Sequence, residues 1–185
     1  SRELWRSLYL LNAYRLLLGS LLLLLVWVFG NDLTLGGRNL ALFYKVSIAY
    51  IAISLLTLPL IKFQRPHFNI QLGIQTGTDI VCIVLLSYAS GGVQSNLAIL
   101  LLVSLAAAGL ICRGKITLFF AALASIAVLL EHSYSVLTQD DATVSQFMLV
   151  GLLSTTYFAV AWLAYKLSKY AVASEKLAAL RGEDV

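Results

Sequence analysis

This sequence is short of the residues that build soluble or secreted folds. Only two of its 185 residues are cysteine, Cys82 and Cys112. They have no CxxC or other partner spacing, which excludes a disulfide framework and a zinc site as the organising device. Only two residues are proline, and Pro59 falls near the end of an apolar run, where a missing backbone donor costs little. Charged residues make up 12% of the chain, against about 25% in soluble domains. That shortage, with 60% hydrophobic residues and a mean hydropathy of +0.88, excludes a water-soluble domain and leaves an integral membrane protein. The net charge of +4 does not point to nucleic acid, because the positive residues sit in short loops between apolar runs. In that setting they orient a chain in a lipid bilayer.

What the sequence does have is six apolar runs, at residues 8–29, 40–61, 70–89, 97–111, 116–130 and 147–167. At ~1.5 Å per residue each covers most or all of the ~30 Å of a bilayer core. The expected fold is an all-α, six-transmembrane-helix bundle with short turns between antiparallel neighbours. The first run is too long for a signal-peptide core and lacks small residues at a cleavage position, so it reads as retained. Eleven of the thirteen basic residues, Arg2, Arg6, Arg15, Lys62, Arg65, Arg113, Lys115, Lys166, Lys169, Lys176 and Arg181, fall on one side, and only Arg38 and Lys45 on the other. Both termini are therefore expected to be cytoplasmic. On the same ground Cys112, beside Arg113, is expected to meet thiol reagents from the cytoplasm, and Cys82, in mid-helix, to resist them. Residues 1–167 form the expected six-span membrane domain and 168–185 the start of a cytoplasmic helix. In that helix Tyr170, Ala173, Leu177 and Leu180 recur at 3, 4, 3 spacing. The spacing fits both a short coiled-coil seam and a solvated juxtamembrane helix.

The candidate working groups are the polar residues inside the spans. Asp79 lies ten residues, ~15 Å, from the end of its run, near the bilayer midplane, where an exposed Asp costs ~2.5–3.5 kcal/mol. Gln71, Gln75, Thr78 and Cys82 share its face, while Gly73 and Gly77 form a GxxxG pattern on the opposite one. Asp79 either recognises a partner or bonds a neighbouring helix. Matched depths suggest two ion pairs, Arg15 with Asp79 and Lys45 with Glu131, although Arg15 also has room to snorkel toward the headgroups. Ser104 with Ala108, and Ala121 with Ser125, are small-xxx-small pairs that suit close helix approach within the chain, to a second copy, or to a partner span. His132, beside Glu131 at a span end, reads as an interfacial polar residue. Among the other classes of function, a small transporter or its substrate-binding membrane component would suit six spans and a midplane Asp. The two halves nevertheless show no repeat and no matching Gly/Pro interruptions. A scaffold that only dimerises is the third reading.

Several stretches carry a family resemblance. The run Ser87-Tyr88-Ala89-Ser90-Gly91-Gly92-Val93-Gln94-Ser95-Asn96-Leu97, then VSLAAAGL at 103–110 and FFAALASIAVLLEHSY at 119–134, resemble the PilS family of sensor histidine kinases of type IV pilus systems. YRLLLG at 14–19 and FNIQL at 68–72 extend the likeness to the first half. The resemblance implies the membrane region of a two-component sensor in the bacterial inner membrane. It implies that this region homodimerises, detects the membrane helix of the major pilin PilA within the bilayer, and controls phosphotransfer to the response regulator PilR. In such proteins a PAS domain and a kinase core follow, and ATP and magnesium belong to that core. This stretch holds no Gly-rich ATP lid and no catalytic Asn cluster, so on this reading it does not catalyse phosphotransfer by itself and is the membrane part of something longer.

Overall fold

The computed structural model describes residues 2–30, 32, 34–64, 67–112 and 115–183. Arg65 and Arg113, two of the charges used to assign sides, lie outside the described residues. Six helices carry the chain: α1 (Arg2–Phe29), α2 (Leu40–Lys62), α3 (Phe68–Ala89), α4 (Leu101–Ile111), α5 (Ile116–Thr138) and α6 (Phe147–Glu183). Five are long and apolar enough to cross a membrane. The fourth crossing differs from the plain helix expected, because Leu97–Leu100 is a 3-10 turn that feeds α4. At ~2.0 Å per 3-10 residue and ~1.5 Å per α residue, the two together still rise ~24 Å.

The cause of that irregular entry lies just before it. Gly91 (φ 107°), Gly92 (φ 77°) and Asn96 (φ 62°) all adopt left-handed backbone, and together they reverse the chain between α3 and α4. Glycine takes this conformation without strain, and Asn tolerates it better than most residues. The Tyr157 hydroxyl of α6 donates to the Ala98 carbonyl in the 3-10 turn at 2.6 Å. A carbonyl in an irregular stretch at membrane depth therefore has a partner from protein, as the bilayer requires.

Helix α3 is the most buried of the five long helices and divides the bundle. On one side it joins α1 and α2 in a core of Leu22, Val26, Phe43, Tyr50, Cys82 and Leu86. On the other, Ile80 and Ile83 pack with Leu101, Leu105, Phe120, Ala124 and Tyr157 of α4, α5 and α6. A third cluster, Leu8, Ile61, Leu72 and Cys112, gathers the start of α1, the end of α2, the start of α3 and the residue after α4 at one end of the bundle. This cluster buries Cys112 to 6% exposure, which corrects the expectation that its thiol is open to reagents.

Two glycines set the tightest helix contacts, and neither belongs to the GxxxG pattern. A Cβ on Gly19 would stand 2.8 Å from Ile51 Cγ1, and one on Gly109 would stand 2.6 Å from Ala164 Cβ. A Cβ on Gly73 would meet only Phe120 at 3.8 Å, and one on Gly77 nothing within 4 Å. The expected glue face of α3 is thus not a close seam within this chain. The fifth crossing also runs past residue 130, to Thr138, because the polar residues there are matched. His132 is buried rather than interfacial, with Nε2 3.0 Å from the Thr143 carbonyl and its ring edge-to-face with Phe147. Helix α6 continues unbroken to Glu183, and beyond Ser168 its residues are largely exposed.

Candidate functional site

The polar residues of the first three helices converge on one buried cluster. Along α1 the buried positions Leu8, Leu11, Asn12, Arg15, Gly19, Leu22 and Val26 follow the three-and-four spacing of one helical face, which aims Arg15 inward. Helix α2 does the same with Val46, Ser47, Tyr50, Ser54, Thr57 and Ile61, and α3 with Gln71, Leu72, Gln75, Asp79, Cys82 and Leu86. Gly19, one turn beyond Arg15, lets α2 approach close enough that a Cβ there would sit 3.3 Å from the Tyr50 ring.

At the centre Arg15 grips Asp79 with two parallel bonds, Nε to Oδ1 at 2.7 Å and Nη2 to Oδ2 at 2.8 Å. Arg15 Nη1 donates to Gln75 Oε1, and the Tyr50 hydroxyl donates to Asp79 Oδ1 at 2.8 Å. All four residues are at most 2% exposed. A two-pronged guanidinium–carboxylate pair fixes both distance and plane, so α1 and α3 are held in register, and Tyr50 adds α2. One turn along, Asn12 Nδ2 donates to the Ser54 carbonyl (2.9 Å) and the Thr57 hydroxyl to Asn12 Oδ1 (2.9 Å). Both side-chain polar atoms of Gln71, and Nε2 of Gln75, are buried with no hydrogen-bond partner among the described residues. Thr78 stands at the edge of the stripe and bonds its own helix at Ile74.

A second cluster closes the opposite end of the bundle from Leu8 and Cys112. Arg38, in the loop before α2, donates through Nη2 to Asp141 Oδ1 (2.8 Å), through Nη1 to Ser135 Oγ (3.0 Å) and to the Tyr88 carbonyl (3.2 Å), and it lies 5.0 Å from the Tyr88 ring centre. Its Nη1 is 3.8 Å from Glu131 Oε1. The backbone amides of Arg38 and Asn39 both donate to the Ala89 carbonyl at 3.0 Å, and Asn39 caps α2 through Leu42 N. This corrects the pairing expected for Glu131: its cation is Arg38, while Lys45 is exposed and makes no ion pair among the described residues. Depth along the helix matched Lys45 to Glu131, but the rotation of α2 turns Lys45 outward.

The remaining site candidates lie elsewhere. Ser104, Ala108 and Ala121 are buried, and Ala108 and Ala121 belong to the core that α4 and α5 share with Ala161 of α6. Their stripe is a seam inside the chain. Only Ser125 is part-exposed, and its hydroxyl bonds back to Ala121 of its own helix. Sequence reasoning missed Tyr50, Asn12 and Arg38. The first two lie on the same three-and-four face as their buried neighbours. Arg38 had a different signal, an arginine placed against the charge bias of the loops.

The family model described as PilS-like transmembrane domain matches residues 1–178. Among curated proteins, the Sensor protein kinase PilS of Pseudomonas aeruginosa is 34% identical over 183 residues, covering 97% of this chain and 33% of that protein. The chain thus spans about a third of the length of that relative. No solved structure matches. With six apolar helices, three of them joined by a buried charge cluster, and a match along nearly its whole length, the chain is a multi-pass inner-membrane protein and belongs to the PilS-like transmembrane domain family.

Proposed function

We propose that this chain is the sensor region of a two-component histidine kinase that reads the membrane helix of the pilin PilA inside the bilayer and controls phosphotransfer to the response regulator PilR. The observation that carries the reading is α6, one unbroken helix from Phe147 to Glu183 in a chain of this family. A helix that packs in the bundle through Tyr157 and Ala161 and then leaves it is a rigid rod between the membrane and whatever follows. Residues 1–167 are the membrane unit and 168–185 the start of the signalling segment, helical among the described residues as far as Glu183, with both termini cytoplasmic. Two copies pair along the Tyr170 to Leu180 face of that helix. ATP and magnesium chemistry belongs to the kinase portion of the longer protein.

Within this reading the Arg15–Asp79 cluster is the element that senses. It holds α1, α2 and α3 by a few directional bonds, so a helix that docks on α3 acts on an element able to switch between discrete arrangements. The test is co-purification of the chain in nanodiscs with pilin. Pilin is expected to be retained through its membrane helix. A pilin lacking that helix that is retained equally well would overturn the reading.

A further inference from the structure

The surface of the bundle carries an apolar groove of about 370 Å³ toward the Arg38 end. Val84, Leu85 and Tyr88 of α3 and Leu130 and Glu131 of α5 line it. Apart from Glu131 the lining is hydrocarbon and tyrosine ring. Glu131 Oε1 accepts from Ser135 at 2.8 Å, but Oε2 accepts no hydrogen bond among the described residues. Arg38 does not make good that deficit. Its hydrogen bonds go to Asp141 (2.8 and 3.4 Å), Ser135 (3.0 Å) and the Tyr88 carbonyl (3.2 Å), and it stands 3.8 Å from Glu131. One guanidinium therefore serves two carboxylates, and Glu131 keeps a carboxyl oxygen at the groove with no hydrogen-bond partner among the described residues.

An acyl chain would fill the apolar part and leave that acceptor unmatched. Glu131 lies seven residues, ~10 Å, before the end of α5 at Thr138, a depth at which a phospholipid presents hydrocarbon rather than its headgroup. A polypeptide helix can bring a donor to that depth. We propose that this groove seats one apolar helix of another membrane protein, carrying a hydrogen-bond donor or a cation at the level of Glu131. The proposal deepens the proposed function by giving the pilin helix a seat, and it rests on that reading only for one of its two probes.

The experiment uses the chain in nanodiscs with a photo-crosslinking residue at Leu130, in the groove, or at Leu17 of α1 or Leu163 of α6, which are exposed elsewhere. The first probe is a pair of synthetic leucine–alanine membrane helices that differ only by Asn or Leu at the depth of Glu131. The Asn helix is expected to crosslink at Leu130 about fivefold more than the Leu helix, the difference made by one net hydrogen bond. It is also expected to exceed its own yield at Leu17 and Leu163. Glu131→Leu should erase the preference. Because that variant also disturbs Arg38, Ala127→Trp is the second variant: it fills the groove without touching the Arg38–Asp141 pair, and it should abolish crosslinking at Leu130. Equal yields for the two host helices at Leu130, or an unchanged yield in Ala127→Trp, would overturn the proposal. The second probe is the pilin helix itself. If it crosslinks at Leu17 or Leu163 and not at Leu130, the groove is not its seat, while pilin sensing stands. If it binds nowhere while the Asn helix still marks Leu130, the groove stands and pilin sensing falls.

Discussion

Arg15 and Asp79, 64 residues apart in sequence, meet through two parallel bonds of 2.7 and 2.8 Å at 2% and 1% exposure. Removing one partner of such a buried pair leaves an uncompensated charge and costs ~3–5 kcal/mol, more than removing both. Asp79→Asn should lower unfolding stability in mixed micelles by about that amount, and Arg15→Gln added to it should restore part of the loss. Tyr50→Phe, which removes one donor to the same carboxylate, should cost ~1.5–3 kcal/mol. Single and double mutants that unfold alike would show that the pair does not hold the helices.

The glycines separate tight contacts from open surface. Gly109→Ala places a methyl where Ala164 already stands and Gly19→Ala presses on Ile51, so each should destabilise by ~1–3 kcal/mol. Gly77→Ala meets nothing within 4 Å and should be neutral or stabilising by up to ~1 kcal/mol. Thermal melts of the three variants in one detergent check the order.

At the other end of the bundle, Arg38→Ala should cost at least ~2 kcal/mol, since it strips a buried charged donor from Ser135 and the Tyr88 carbonyl and removes the cation beside Glu131. Asp141 is half-exposed, so Asp141→Asn should cost under ~1 kcal/mol. Lys45→Ala, on an exposed position with no ion pair among the described residues, should stay within about 0.5 kcal/mol of the parent. The same melts report all three.

Sidedness is best read from introduced cysteines at well-exposed positions. Leu177→Cys on the tail of α6 should label from the cytoplasm and Leu137→Cys at the far end of α5 from the other side. Cys82 and Cys112, 7% and 6% exposed, should stay unlabelled until the protein is denatured. Labelling of both new cysteines from one side would overturn the topology.

Much of the fold could be read from the sequence because hydrocarbon length and helix rise leave few choices. The six apolar runs lie where the crossings are, and the depth arithmetic that paired Arg15 with Asp79 led to the observed contact. The same arithmetic failed for Lys45. Depth fixes position along a helix, but rotation about it is set by packing, here by Phe43, Val46 and Tyr50 turning inward. Arg38 was hidden because its loop folds over the end of α3 through the Ala89 carbonyl, a long-range contact with no sequence period. The 3-10 entry to α4 follows from the left-handed Asn96, whose conformation composition does not announce. The GxxxG pattern misled because two small residues permit a close approach without requiring one.

The claim that α6 carries the state of the membrane bundle outward can be measured by disulfide crosslinking between two copies of the chain in nanodiscs through Ala173→Cys, an exposed position on the emerging helix. The expected result is that adding pilin changes the crosslinking yield, while pilin lacking its membrane helix leaves the yield where it was. The same yield with and without intact pilin would contradict it.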